Sequence, residues 1–119
     1  MHLRFSAFVL LFGIMACSGA DCINEVREEL VSPDGTKKVV VFTRNCGATT
    51  GPNTQASILD KTERLPDEAG TAFIIDKGGA KVFWKKDGGI LVILDSTARV
   101  FKKEPSVRGV AIEYREEKG

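Results

Sequence analysis

Histidine is almost missing from this chain: the 119 residues include one, His2. Beyond that position no Ser-His-Asp or Cys-His arrangement can be assembled, and no histidine is left to ligate a metal. The nucleophile elbow G-x-S-x-G, the zinc motif H-E-x-x-H, the P-loop and the dinucleotide fingerprint are also missing. Charge of one sign is missing too. Lys and Arg number 17 and Asp and Glu 16, a formal net charge of +1, which gives no electrostatic basis for wrapping nucleic acid. Tryptophan and tyrosine occur once each. The length leaves room for one domain, since a second needs roughly another hundred residues.

One long apolar run is present, at the N-terminus. Arg4 precedes residues 5–16, which are apolar apart from Ser6 and Gly13. The run is shorter than the roughly twenty residues of a membrane-spanning helix and fits the apolar region of a signal peptide. Two cleavages fit the end of this run. Ile14-Met15-Ala16-Cys17 resembles a bacterial lipobox, in which the cysteine is lipidated and becomes the new N-terminus; Met15 departs from the residue usual there. Alternatively, Ser18 and Ala20 supply the small residues of an ordinary cleavage site after Ala20. The expected division is a lipoprotein signal peptide over 1–16 and a single all-β domain over 17–119. Arg4 is the only charged residue removed, so the 17 cationic residues become 16 against 16 acidic ones.

Three cysteines, an odd number, require an explanation in an exported chain. Either cleavage leaves Cys22 and Cys46 as a pair, with Cys17 lipidated or discarded. Export places them where disulfides persist, so a Cys22–Cys46 bridge is expected. Their spacing is not C-x-x-C, so neither a thioredoxin-like nor a zinc-ribbon role is supported.

Short strands and turns fill the remainder. Residues 25–31 form a first strand. Ser32-Pro33-Asp34-Gly35 is a turn, because Pro presets φ, Asp bonds the backbone ahead and Gly accepts positive φ. Residues 38–44, apolar on both faces, read as a central strand. Residues 55–60 alternate, 61–70 read as an exposed polar connection, and 71–76 as a short buried strand. Residues 81–86 and 90–94 flank the hairpin turn Asp87-Gly88-Gly89. Residues 97–102 and 107–115 end the series. About seven or eight strands predict a single small antiparallel sandwich, barrel or curled meander.

Two resemblances are carried by these segments. Ser32-Pro33-Asp34-Gly35 with 38–44, and Trp84-Lys85-Lys86-Asp87-Gly88-Gly89 with 90–94, resemble strand-turn segments of TolB-like β-propeller blades. The chain is too short to close such a propeller alone. SPDG, Asn45-Cys46-Gly47-Ala48-Thr49-Thr50-Gly51 and Thr54-Gln55-Ala56-Ser57-Ile58-Leu59 together resemble a family of small exported bacterial proteins. That resemblance implies an envelope location and no particular activity.

The candidate binding element is the 46–51 loop. Its small residues let backbone N–H groups approach a ligand, and Thr49 and Thr50 add hydroxyls beside Gly47 and Gly51. A tight disulfide-anchored bend is the purely structural alternative. Asp60, Glu63, Asp67 and Glu68 could serve a carboxylate-dependent hydrolase, but a solvated loop explains them. Asp34 and Asp87 could ligate calcium, but turn geometry explains them. Trp84 reads as core, with surface recognition as its alternative. Lys85-Lys86 and Lys102-Lys103 read as charges protecting exposed strands.

The expected protein is a non-catalytic envelope lipoprotein acting as a binding or structural module, without cofactor, metal or nucleic acid. Its partner is an envelope protein or a glycan, and its membrane contact is a lipid on Cys17 rather than a transmembrane helix. A periplasmic inhibitor of a hydrolase, such as a lysozyme or peptidase, and a small carboxylate-dependent hydrolase are the alternatives.

Overall fold

The computed structural model describes residues 21–47 and 52–117. Among them every helix or strand is a strand: β1 (Ile23–Val31), β2 (Lys37–Asn45), β3 (Asn53–Asp60), β4 (Phe73–Asp76), β5 (Ala80–Trp84), β6 (Ile90–Asp95), β7 (Arg99–Lys103), β8 (Ser106–Val107) and β9 (Val110–Glu117). They form a five-stranded sheet in the order β1-β2-β3-β4-β7 and a four-stranded sheet in the order β5-β6-β9-β8. The expected all-β fold is therefore found, as a two-sheet sandwich.

Period-two alternation builds the core between the sheets. From the larger sheet Val39, Val41, Ala56, Ile58, Phe73 and Ile75 point inward. From the smaller sheet Val82, Ile90, Val92, Leu94, Val110 and Ile112 meet them. Tyr114 crosses the same space. Its ring meets Phe73 edge-on at 6.5 Å, and its hydroxyl lies 2.8 Å from the Glu104 carbonyl and 3.2 Å from that of Ala72. Burial of the phenol, first, and the nearby Glu104 charge push its pKa up to about 12.

The doubly apolar β2 has a second buried face. Val40, Phe42 and Leu59 cluster on the outside of the larger sheet, and Leu65 packs over them. Residues 61–70 therefore do more than connect β3 to β4. Asn24 Nδ2 donates to the Pro66 and Glu68 carbonyls at 3.1 Å each, and Arg44 Nη1 reaches Asp67 at 3.2 Å. These bonds hold the segment across the sheet. Gly70 is buried where it rejoins the sandwich. A Cβ there would stand 2.7 Å from the Ala56 carbonyl oxygen, so only glycine fits without backbone movement.

One pairing departs from the expected antiparallel scheme: β6 and β9 run parallel, from Ile90↔Ile112 to Asp95↔Glu117. The chain between them changes sheets. β7 pairs with β4 in the larger sheet and β8 with β9 in the smaller, with only Glu104 and Pro105 between them. Pro105 has no N–H to continue a ladder, while its carbonyl accepts from Ile112 N at 2.9 Å. β8 is antiparallel to β9 and so opposes β6, which leaves β9 parallel beside β6.

Candidate functional site

Three turns meet at one end of the sandwich. In the β1–β2 turn, Asp34 Oδ1 accepts from Ser32 Oγ at 2.7 Å, Thr36 Oγ1 at 2.8 Å and Thr36 N at 3.0 Å. The Ser32 hydroxyl, then the Thr36 N–H and hydroxyl, lower the Asp34 pKa to about 2. Gly35 follows with φ +76°. In the β5–β6 turn, Asp87 Oδ1 accepts from Gly89 N at 2.9 Å, and Gly88 N donates to the Lys85 carbonyl at 3.0 Å. The third turn, Arg108-Gly109 between β8 and β9, has positive φ at both residues, 52° and 78°. Two-residue hairpin turns favour such angles, but arginine in that region costs about 1 kcal/mol or more.

Arg108 is held there by charge. Its Nη1 and Nη2 lie 2.6 and 3.2 Å from the two carboxylate oxygens of Glu63, with Asp60 at 3.8 Å. Asp60 also pairs with Lys37 at 3.3 Å. The Arg108 guanidinium, with a hydrogen bond from the Asp60 backbone, holds Glu63 below the usual carboxylate range. The 61–70 segment is thereby fastened to the smaller sheet as well as the larger.

Between the three turns lies a cleft of about 340 Å³, lined by Asp34, Lys37, Trp84, Lys86, Asp87 and Arg108 among others. Trp84 is half-buried: it packs against the core and its Nε1–H donates to the Leu30 carbonyl at 2.7 Å, while the residue is also among those lining the cleft. The expected place of this residue against the core is found. Lys86 is exposed and has no carboxylate partner among the described residues. The cleft joins an aromatic ring to a rim of both charges, an arrangement suited to holding a polar ligand with one flat apolar face.

Comparison with family models, curated proteins and solved structures finds no match.

The opposite end of β1 and β2 holds the expected disulfide. Cys22 and Cys46 are bonded one step beyond the Ile23↔Asn45 pair, with Cα atoms 4.0 Å apart. Just past it, Gly47 N donates to Asn45 Oδ1 at 3.2 Å. Thr49, Thr50 and Gly51, proposed from sequence with Gly47 as a binding loop, lie outside the described residues, as does Cys17. A second hollow of about 430 Å³ lies here, bordered by Cys22, Val26, Leu65 and Pro66.

The remaining candidates scatter. Asp60 and Glu63 face Lys37 and Arg108, Asp67 faces Arg44, and the Glu68 carbonyl receives Asn24. Asp34 and Asp87 border the same cleft, yet among the described residues no three His, Cys, Asp or Glu side chains are grouped to hold a metal. Lys85 pairs with Glu113 at 3.0 Å, Lys102 donates to the Gly70 carbonyl at 3.0 Å, and Lys103 stands 5.6 Å over the Tyr114 ring. The two lysine pairs thus serve different neighbours in different sheets. Sequence reasoning missed Arg108. Its only signal is an Arg-Gly dipeptide inside an otherwise strand-like run, because the charge partner that holds the turn is 45 residues away.

Proposed function

We propose that this protein is an exported, non-catalytic binding module of the bacterial cell envelope, held at a membrane by a lipid on Cys17. The observation that carries the reading is the Cys22–Cys46 disulfide, which joins the first and second strands at the start of the folded domain. Such bonds belong to oxidising compartments, in keeping with the signal-like segment and lipobox before it. Binding rather than catalysis is favoured by the state of the carboxylates. Hydrogen bonds from Arg108 to Glu63 and from Arg99 to Asp76 hold these carboxyls below the usual range, as those from Lys85 and then Arg115 do for Glu113. A general acid needs the opposite shift. Among the described residues no helix is long and apolar enough to cross a membrane.

Fractionation of cells expressing the natural chain and Cys17→Ser tests the reading. The natural protein is expected in the membrane fraction and Cys17→Ser in the soluble exported fraction, both without free thiol at Cys22 and Cys46. Equal distribution of the two forms would remove the anchor. Recovery of both in the cytosol with reduced cysteines would remove export.

A further inference from the structure

We infer that the cleft between the three turns binds an anionic saccharide, with a sugar ring against Trp84 and its acid group beside Lys86 and Arg108. The inference rests on the envelope reading above and names the ligand class for that reading.

Four features of the cleft converge on this chemistry. Trp84 offers a flat apolar surface whose single N–H is already spent on Leu30, so the ring can contribute stacking but no polar contact. A pyranose has one face of C–H groups that suits such a surface, and hydroxyls around its edge. Asp34 and Asp87 direct Oδ1 to their own turns, and neither Oδ2 has a protein donor among the described residues. Two acceptors are therefore available to hydroxyl groups. Lys86 has no carboxylate partner among the described residues, and Arg108 uses both Nη atoms on Glu63 while Nε has no acceptor there. Among the described lining residues Lys86 is the cation without a carboxylate partner and so takes the acid group of the ligand, with Arg108 Nε as a further donor. Finally, Arg108, a residue of the lining, is held in its turn by Glu63, so its position at the cleft is fixed before a ligand arrives.

The topology also makes the cleft accessible in an anchored protein. Cys17 precedes Cys22 by five residues, so a lipid there lies within about 18 Å of the disulfide end even with the chain extended. The cleft is at the far end of β1, whose nine residues span about 30 Å. The cleft thus lies at the end of β1 away from the residues nearest Cys17.

Trp84 is the only tryptophan, so its fluorescence reports on this cleft alone. The test titrates the mature protein, in natural and Cys17→Ser forms, with trigalacturonate, glucose 6-phosphate, neutral maltotriose, inorganic phosphate and adenosine monophosphate. A saturable change is expected with trigalacturonate or glucose 6-phosphate, the responding sugar showing whether carboxylate or phosphate is read. Maltotriose and inorganic phosphate should be silent. Lys86→Glu, whose side chain is exposed, should keep the melting temperature and weaken binding about tenfold or more, as loss of a charged hydrogen bond implies. The inference is overturned if neither acidic sugar binds, if Lys86→Glu binds equally well, if inorganic phosphate alone gives the same response, or if only the nucleotide binds. Because Cys17→Ser should titrate like the natural form, a failed anchor and a failed cleft give separate results.

Discussion

At the scale of single residues, two positions decide local structure by opposite means. Gly70 is fixed by contact. Its missing Cβ would collide with the Ala56 backbone at 2.7 Å, and its N–H and carbonyl are taken by Gln55 Oε1 at 2.6 Å and Lys102 Nζ at 3.0 Å. Gly70→Ala is expected to cost about 1–3 kcal/mol, read as a lower urea midpoint at unchanged slope; an unchanged midpoint would count against the packing described. Asp34 is fixed by hydrogen bonds instead. Its folded pKa of about 2 lies below the ~3.9 of an unfolded aspartate. Its stabilising contribution is therefore complete above about pH 4 and lost as pH falls toward 2. Between pH 5 and 2 the melting temperature of the natural protein should fall more steeply than that of Asp34→Asn. Superimposable slopes would contradict the assignment. Residues governed by their neighbours in sequence were legible from sequence, Asp34-Gly35 and Asp87-Gly88 among them. Arg108 was not, because Glu63, distant in sequence, holds its turn.

Elements show the same division between local and distant causes. β2 was legible because a strand apolar on both faces must be covered twice. What covers its second face was not, because residues 61–70 are mostly polar and only Leu65 joins the apolar cluster. The parallel β6–β9 pair was illegible for a different reason: nothing in the alternation of either strand records that Pro105 moves the chain between sheets. β1 is an edge strand whose exposed Glu25, Arg27 and Glu28 and whose register break between Val26 and Glu28 discourage pairing with another chain. Its first residue lies beside the disulfide that ties it to β2. Replacing Cys22 and Cys46 together by serine should lower stability by about 3 kcal/mol, the value for a loop of this length in the chain-entropy model, while leaving the far-ultraviolet spectrum of a β protein. Denaturant melts that coincide with those of the natural protein would show that the bridge adds nothing to the β1–β2 pairing.

For the whole molecule, the two-sheet arrangement separates two ends of different composition. One end carries the disulfide and lies close in sequence to Cys17; the other gathers three turns, Trp84 and charges of both signs around a cleft. Composition and cysteine count pointed to the first end. The cleft required the fold, because its residues come from three separate hairpins. The proposed anchoring depends on processing at Cys17. The intact mass of the mature protein purified from the envelope measures it directly. The expected mass is that of residues 17–119 carrying a diacylglyceryl group, two hydrogens short for the Cys22–Cys46 bridge. An unlipidated chain beginning at Asp21 would contradict the anchor.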